Sequence, residues 1–291
     1  MVLGGGLLSA SVAVLFKGGW TEMFCGGLVG AVFVAAYIGL SRRTRFGPVA
    51  PVLLCALAAF MAKALLPVFP DQTVFITTLS GIVLLLPGFT TTIALSELAT
   101  MNLVSGSGRL AGAFILTLMM GAGVVIGSTL GDILVHPPTG GITTAVPAWA
   151  FWLGVAGLGA SFLAVLQAPL RAMPVAVAST LFACVVSMGV AAHYGDIAAA
   201  FVASFAVAYA GHLYQRLTGR PAALIQVPGL LTLVPGSVGF RGLNALIEQN
   251  FIEGVKITSG MVLTATALAV GTLLANGLRP LPKRKTSPAK S

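Results

Sequence analysis

The sequence predicts an all-α polytopic membrane protein of about ten transmembrane helices, built as an inverted five-plus-five repeat whose helices are interrupted at Pro-Gly steps. Three observations predict it. The first concerns solvent: 57% of the 291 residues are apolar, 8% are charged and the mean hydropathy is +1.00, whereas a soluble globular domain carries about 25% charged residues. Water cannot wet a surface so poor in charge, which excludes a soluble enzyme, a nucleic-acid-binding domain and a disordered chain. The 36 glycines fit lipid as the solvent, because glycine is commoner in membrane helices than in soluble ones. The second observation is division into apolar runs near the ~20 residues that cross a bilayer. The third is an internal repeat that carries two of the Pro-Gly steps.

The runs are Val2–Phe16, Glu22–Leu40, Val49–Leu66, Val74–Leu86, Leu110–Leu134, Val146–Leu166, Met173–Ala192, Ile197–Leu217, Ala222–Val234 and Val255–Leu278. The net charge of +9 is distributed between them as a topology signal. Arg42, Arg43 and Arg45 follow the second run, Arg109 the fourth and Arg171 the sixth. Arg216 and Arg220 follow the eighth, and Arg279, Lys283, Arg284 and Lys285 the tenth. The odd exits hold Asp71, Asp132 with His136, and His193 with Asp196 instead, with Lys17 a minor exception and the ninth exit, with Lys256, ambiguous. By the positive-inside rule both termini are cytoplasmic. Residues 1–143 form the first five-span repeat, 144–278 the second, and 279–291 a basic cytoplasmic tail beside anionic headgroups.

The repeat is read from Gly81–Gly106 set against Gly229–Gly254 at a constant offset of 148 without gaps. Pro87/Pro235, Gly88/Gly236, Leu95/Leu243, Leu98/Leu246, Asn102/Asn250 and Gly106/Gly254 are identical pairs, and the register continues at Gly112/Gly260 and Gly123/Gly271. Upstream, Ala10-Ser11 can be set against Ala160-Ser161 at an offset of 150, a pair that alone carries no weight. Five spans per half is odd, so the second half enters the membrane from the opposite face. In such folds the substrate site lies near the midplane, where interrupted helices from both halves meet.

Proline removes a backbone donor and glycine permits the turn. In lipid such a break is tolerated where protein or a water-filled cavity covers it. Pro87-Gly88 and Pro235-Gly236 are therefore the candidate substrate-binding breaks, and Pro228-Gly229 adds another in the ninth run. Thr90, Thr91 and Thr92 follow the first break, where hydroxyls can cap the new helix or help its N-terminus hold a carboxylate. Asn102, Asn244 and Asn250 complete the candidate substrate set. Glu97 lies on the same helix as the threonines, and Glu248 occupies the second copy. A carboxylate at membrane depth is costly and marks function by default, so both are candidate proton-coupling residues, with a pair to Arg241 as the structural alternative for Glu248. Lys63 reads as snorkelling, Asp132 as a helix-end carboxylate, His212 as a packed core residue, and Gly26/Gly30 with Gly123/Gly127 as close helix packing.

Cys25, Cys55 and Cys184 lie in apolar runs with no metal or disulfide spacing. No HExxH, GxSxG or Walker pattern is present, so no catalytic site, metal or cofactor is expected. Without a nucleotide site, a transporter here runs on an ion or proton gradient. Val104–Gly108 reads as a connection between helices.

The stretch LLPGFTTTIALSELATMNLVSGSGRLAGA (Leu85–Ala113) resembles the signature region of the bacterial threonine/serine exporter family, and VPGLLTLVPG (Val227–Gly236) resembles the Pro-Gly pattern of its C-terminal half. Family motif positions map onto Pro87, Gly88, Glu97, Ser105, Gly106, Arg109, Pro235 and Gly236. The resemblance implies a secondary exporter of small neutral amino acids, threonine and serine first, exchanging them for protons across a bacterial plasma membrane. Its implied partners are the amino acid, protons and the lipid bilayer, with no nucleic acid and with a homo-oligomer left open. An uncoupled channel or facilitator, or a membrane subunit requiring a partner, is the alternative. Long members carry a cytosolic region before the first span; this chain opens on apolar Val2, as a trimmed member or a fragment would.

Overall fold

The computed structural model describes residues 1–41, 44–135, 146–234, 236–247 and 250–278. Arg42, Arg43, His136, Pro138, Pro235, Glu248 and the basic segment 279–291 lie outside the described residues. The helices are α1 (Val2–Leu15), α2 (Trp20–Ser41), α3 (Ala50–Ala64), α4 (Val74–Gly81), α5 (Gly88–Ala99), α6 (Leu103–Leu134), α7 (Ala148–Leu166), α8 (Met173–Thr218), α9 (Ala223–Leu233), α10 (Gly236–Ile247) and α11 (Phe251–Gly277), and no strand occurs among the described residues. Among the described residues, seven helical stretches are long and apolar enough to cross a membrane, or up to eight with the α4–α5 pair, which bends by 50°. Each apolar run of the sequence thus contains helix, but one helix does not equal one span.

Helix α8 makes the point. Its 46 residues would extend ~69 Å if straight, more than twice the ~30 Å hydrocarbon core. Gly195 interrupts it at φ 81°, ψ 172°, a region open essentially to glycine alone. A Cβ placed on Gly229 of α9 would lie 2.6 Å from both Ser179 Oγ and Val207 Cγ1. Those two residues would stand ~42 Å apart along one straight helix. The two arms of α8 therefore fold back side by side at Gly195, and the seventh and eighth runs form a helical hairpin.

The two stretches matched at the offset of 148 share several local features among the described residues. Helices α5 and α10 each have 12 residues and begin at Gly88 and Gly236. Leu86 (φ −56°, ψ 120°) and Val234 (φ −66°, ψ 126°) turn the chain out of helix before each break. At the far ends Asn102 donates its N–H to Glu97 O and Asn250 to Ala245 O, both at 2.9 Å. Gly106 and Gly254 then donate to the two asparagine carbonyls at 3.0 and 2.9 Å. Helices α6 and α11 begin earlier than the fifth and tenth apolar runs that they contain. The Val104–Gly108 stretch, expected as a connection, is the first turn of α6, held because Gly106 sits against Leu98 and the Ala94 carbonyl of α5.

Helix α1 also meets its counterpart α7 directly. Gly4 contacts Ala164, while a Cβ on Gly154 would lie 3.1 Å from Val14 and one on Gly157 3.6 Å from Leu7. Rising residue numbers on α1 meet falling ones on α7, so the two helices are antiparallel. The core is gathered from α2, α3, α4 and α6 around Phe33, Leu54, Leu79, Ile82 and Met120, and Phe240 of α10 joins it. As expected from the spacing, Gly26 and Gly30 pack on Ser80 and Ser9, and Gly123 and Gly127 on the α3 backbone at Val52 and Ala56. Small residues let these backbones approach closely, which is where membrane helices gain dispersion energy. The three cysteines are buried and unpaired.

Candidate functional site: the paired helix breaks and their cavities

The breaks meet. A Cβ on Gly88 would lie 2.7 Å from Gly236 Cα and 2.8 Å from Gly236 N, and one on Gly236 would lie 3.3 Å from Gly88 Cα and from Leu86 Cβ. Gly88 also contacts Val234, the counterpart of Leu86. The contact is reciprocal: each residue touches both its own equivalent and the neighbour of that equivalent, as across a two-fold axis. Side chains at either glycine would separate the two helix starts.

A cavity of about 560 Å³ adjoins this junction, between α5, α6, α10 and α11. Its lining includes repeat-related pairs: Gly88/Gly236, Thr91/Gly239, Leu110/Thr258, Ala113/Met261 and Phe114/Val262. No charged side chain lines it. Of the sequence-predicted substrate residues, Pro87, Gly88, Thr91 and Gly236 line this cavity. Thr91 and Thr92 donate their hydroxyls back to Pro87 O (2.8 Å) and Gly88 O (3.1 Å), so these two hydroxyls do not cap the new helix. Thr90 is exposed on the same turn. Asn102 and Asn250 are the N-caps of α6 and α11, outside the linings of both large cavities. Asn250 Oδ1 accepts the Glu253 N–H at 3.4 Å, whereas the Asn102 amide donates to Thr100 Oγ1 at 3.1 Å. Asn244 is half-buried on α10.

Glu97 stands at the α5–α6 corner. Its carboxylate accepts from Ser105 Oγ at 2.7 Å and from Arg109 Nε at 3.1 Å, with the second oxygen 3.0 Å from the same nitrogen. Three residues mapped from the family motif, Glu97, Ser105 and Arg109, thus form one charge-assisted cluster. Lys63 pairs with Asp132 rather than snorkelling alone, with Gly131 packed on the lysine stem. His212 Nε2 lies 2.8 Å from Asn276 Oδ1, and Arg241 sits 5.0 Å over the Phe16 ring.

Two features escaped the sequence. Glu22, which opens the second apolar run, is fully buried. It accepts N–H groups from Gly19 and Thr73 at 2.8 Å each, stapling the start of α2 to the start of α4. An acid in the first turn of an apolar helix was the available signal. The second is a cavity of about 650 Å³ on the other side of α10, bounded by both arms of α8, the end of α9 and the start of α11. Its lining includes Asp196, Glu253 and Lys256. Asp196 is far in sequence from Glu253 and Lys256, and only the α8 hairpin brings it to α11. No cluster of three metal-ligating side chains occurs among the described residues.

Fold and junction together define a multi-pass α-helical membrane protein in which the starts of α5 and α10 meet at Gly88 and Gly236. Residues 1–131 match the threonine/serine exporter model ThrE, and residues 148–277 match the companion model described as "Threonine/Serine exporter, ThrE". The chain belongs to the threonine/serine exporter family. It is 26% identical over 285 residues to the threonine/serine exporter of Corynebacterium glutamicum, covering 94% of this chain and 58% of that protein. It is 26% identical over 185 residues to pheromone-regulated membrane protein 10 of Saccharomyces cerevisiae (60% of this chain, 48% of that one). The protein of the same name from Eremothecium gossypii is 24% identical over 264 residues (89% and 35%). The chain spans between about a third and three fifths of the length of these relatives, which include fungal as well as bacterial proteins. The bacterial relatives are named exporters, not enzymes. No solved structure matches the chain.

Proposed function

We propose that this chain is a secondary transporter that exports small neutral amino acids, threonine and serine first, in exchange for protons across a plasma membrane. The observation that carries the reading is the reciprocal contact of Gly88 with Gly236 at the paired breaks. Two interrupted helices from equivalent places in two halves, meeting beside a cavity, are the arrangement around which alternating access is organised. The inverted five-plus-five plan (1–143 and 144–278) is supported by α1 and α7. They are equivalent yet antiparallel, so the rotation relating them runs perpendicular to the helices and hence in the membrane plane. Folding of α8 at Gly195 adds the crossing that an odd count per half requires. Trp20 and Trp149, at the starts of α2 and α7, lie 5.7 Å apart and are exposed, as in an interfacial aromatic belt. This end is the outer face if both termini are cytoplasmic.

Pro87, Gly88, Thr91 and Gly236 line the substrate path in this reading, with Thr90, Thr92, Asn102, Asn244, Asn250 and Pro235 around it. Glu97 is the proton-coupling carboxylate, with Glu248 the next candidate. Protonating Glu97 removes the charge that holds Arg109 and so couples a proton to the α5–α6 corner. Counterflow of labelled threonine and serine in proteoliposomes, with and without a pH gradient, tests this. Uptake against the gradient of label only when the pH differs is the expected result, and Glu97→Gln abolishes it while leaving labelled-for-unlabelled exchange partly intact. Transport that ignores a protonophore identifies an uncoupled facilitator instead.

A further inference from the structure

We propose that the cavity bounded by α8, α9, α10 and α11 is a binding site for the charged ends of an α-amino acid. Lys256 takes the carboxylate, Asp196 and Glu253 the ammonium, and Ser187 the side-chain hydroxyl. The site rests on the transporter reading and adds to it a place that the first cavity cannot supply. A zwitterion carries two full charges, and moving them from water into a mostly apolar lining that holds hydroxyls but no charge is opposed by their lost hydration. The first cavity has no charged residue in its lining. The second, at about 650 Å³, lies within the size range of small-molecule sites and holds both signs of charge.

Those charges are not spent on one another. Neither Lys256–Asp196 nor Lys256–Glu253 forms an ion pair, since the ion pairs among the described residues are Lys63–Asp132 and Arg109–Glu97. All three residues are exposed in the lining, and a cation and two carboxylates that share a cavity without pairing are available to a ligand bearing the complementary charges. Ser187 reinforces the match: it lines the cavity, and its hydroxyl makes no hydrogen bond with the described residues, whereas Thr232 and Thr264 in the same lining donate to Pro228 O and Gly260 O. A cation, an anion and a free hydroxyl make a three-point match to a hydroxy amino acid. Asp196 directly follows the Gly195 kink, and Glu253 and Lys256 occupy the first turns of α11 after the Asn250 cap. The groups thus stand on two elements whose relative placement depends on the hairpin, and a change of hinge angle opens or closes the site.

The test is equilibrium binding to the full chain in lipid nanodiscs, with three probes: L-threonine, threoninol, which lacks the carboxylate, and 3-hydroxybutyrate, which lacks the ammonium. Lys256→Gln is expected to weaken L-threonine about ten-fold or more, the loss typical of a charge-assisted hydrogen bond, while leaving threoninol unchanged. Asp196→Asn is expected to weaken L-threonine and leave 3-hydroxybutyrate unchanged. Native melting curves of both variants separate a lost contact from a lost fold. If both folded variants bind L-threonine like the unsubstituted chain while Gly88→Ala abolishes binding, the zwitterion sits in the first cavity and this site is overturned. If the unsubstituted chain binds neither L-threonine nor L-serine, the transporter reading fails, and this site with it.

Discussion

The α5–α6 and α10–α11 corners share two backbone hydrogen bonds and differ in whether their charges are paired. Each follows a 12-residue helix and turns on an asparagine with the same two backbone hydrogen bonds. At the first corner Glu97, Ser105 and Arg109 lock together. At the second, the equivalent positions hold Ala245, Glu253 and Ile257, and the charges that are present, Glu253 and Lys256, face a cavity unpaired. The same two backbone hydrogen bonds thus accompany paired charges at one corner and unpaired charges at the other. Backbone geometry follows from Gly, Pro and Asn at fixed spacing; the charge pattern is free to diverge because no backbone bond depends on it.

The largest expected effect comes from breaking the junction between the two copies. Gly88→Val drives a side chain into the Gly236 backbone, which cannot yield as a flexible side chain can, and should cost about 3 kcal/mol or more. A lowered Tm in detergent and loss of threonine counterflow are the readouts. The contact is not perfectly symmetric: a Cβ added at Gly236 has 3.3 Å to its nearest neighbours, whereas one added at Gly88 lies 2.7 Å from Gly236 Cα and closer still to the Val234 side chain. Gly236→Ala should therefore lower Tm less than Gly88→Ala, and equal shifts would refute a junction governed by these distances.

Next comes Glu22, which sharpens the contrast between halves, since α8 has no acid in its first turn. Glu22→Ala strands the Gly19 and Thr73 N–H groups in the interior, at about 1–3 kcal/mol for each unsatisfied donor. Glu22→Gln keeps an acceptor and should lose distinctly less, measured by thermal or urea unfolding of the two variants side by side.

A smaller effect is expected at the paired corner. Arg109 is half exposed, so its ion pair with Glu97 should contribute no more than about 1 kcal/mol. Arg109→Gln should lower Tm slightly at low salt, and the difference from the unsubstituted chain should shrink as KCl screens the pair. The smallest contrast lies in the caps. Asn250→Ala removes a side-chain acceptor from the Glu253 N–H and should cost about 1 kcal/mol, whereas Asn102→Ala removes no cap bond and should be nearly neutral. Equal losses would mean that the two asparagines are held by the same interactions.

The sequence by itself determined the solvent, the helical class, the runs and the register of the repeat. Each of these follows from local chemistry: apolar length, Pro-Gly at a break, Asn before a helix, glycine where backbones touch. It also singled out Gly88, Gly236 and Glu97 from their scarcity or spacing. Tertiary structure alone decided who meets whom. That Gly88 touches its own equivalent, that Glu97 is held by Arg109 and Lys63 by Asp132, that α8 folds at Gly195, and that Asp196 shares a cavity with Lys256 are all contacts between segments distant in the chain. In lipid the pattern of apolar residues no longer distinguishes an outward face from an inward one, because the solvent outside is as apolar as the core. Periodicity that would orient a helix in water is therefore silent here, and only packing of small residues against particular backbones fixes the faces.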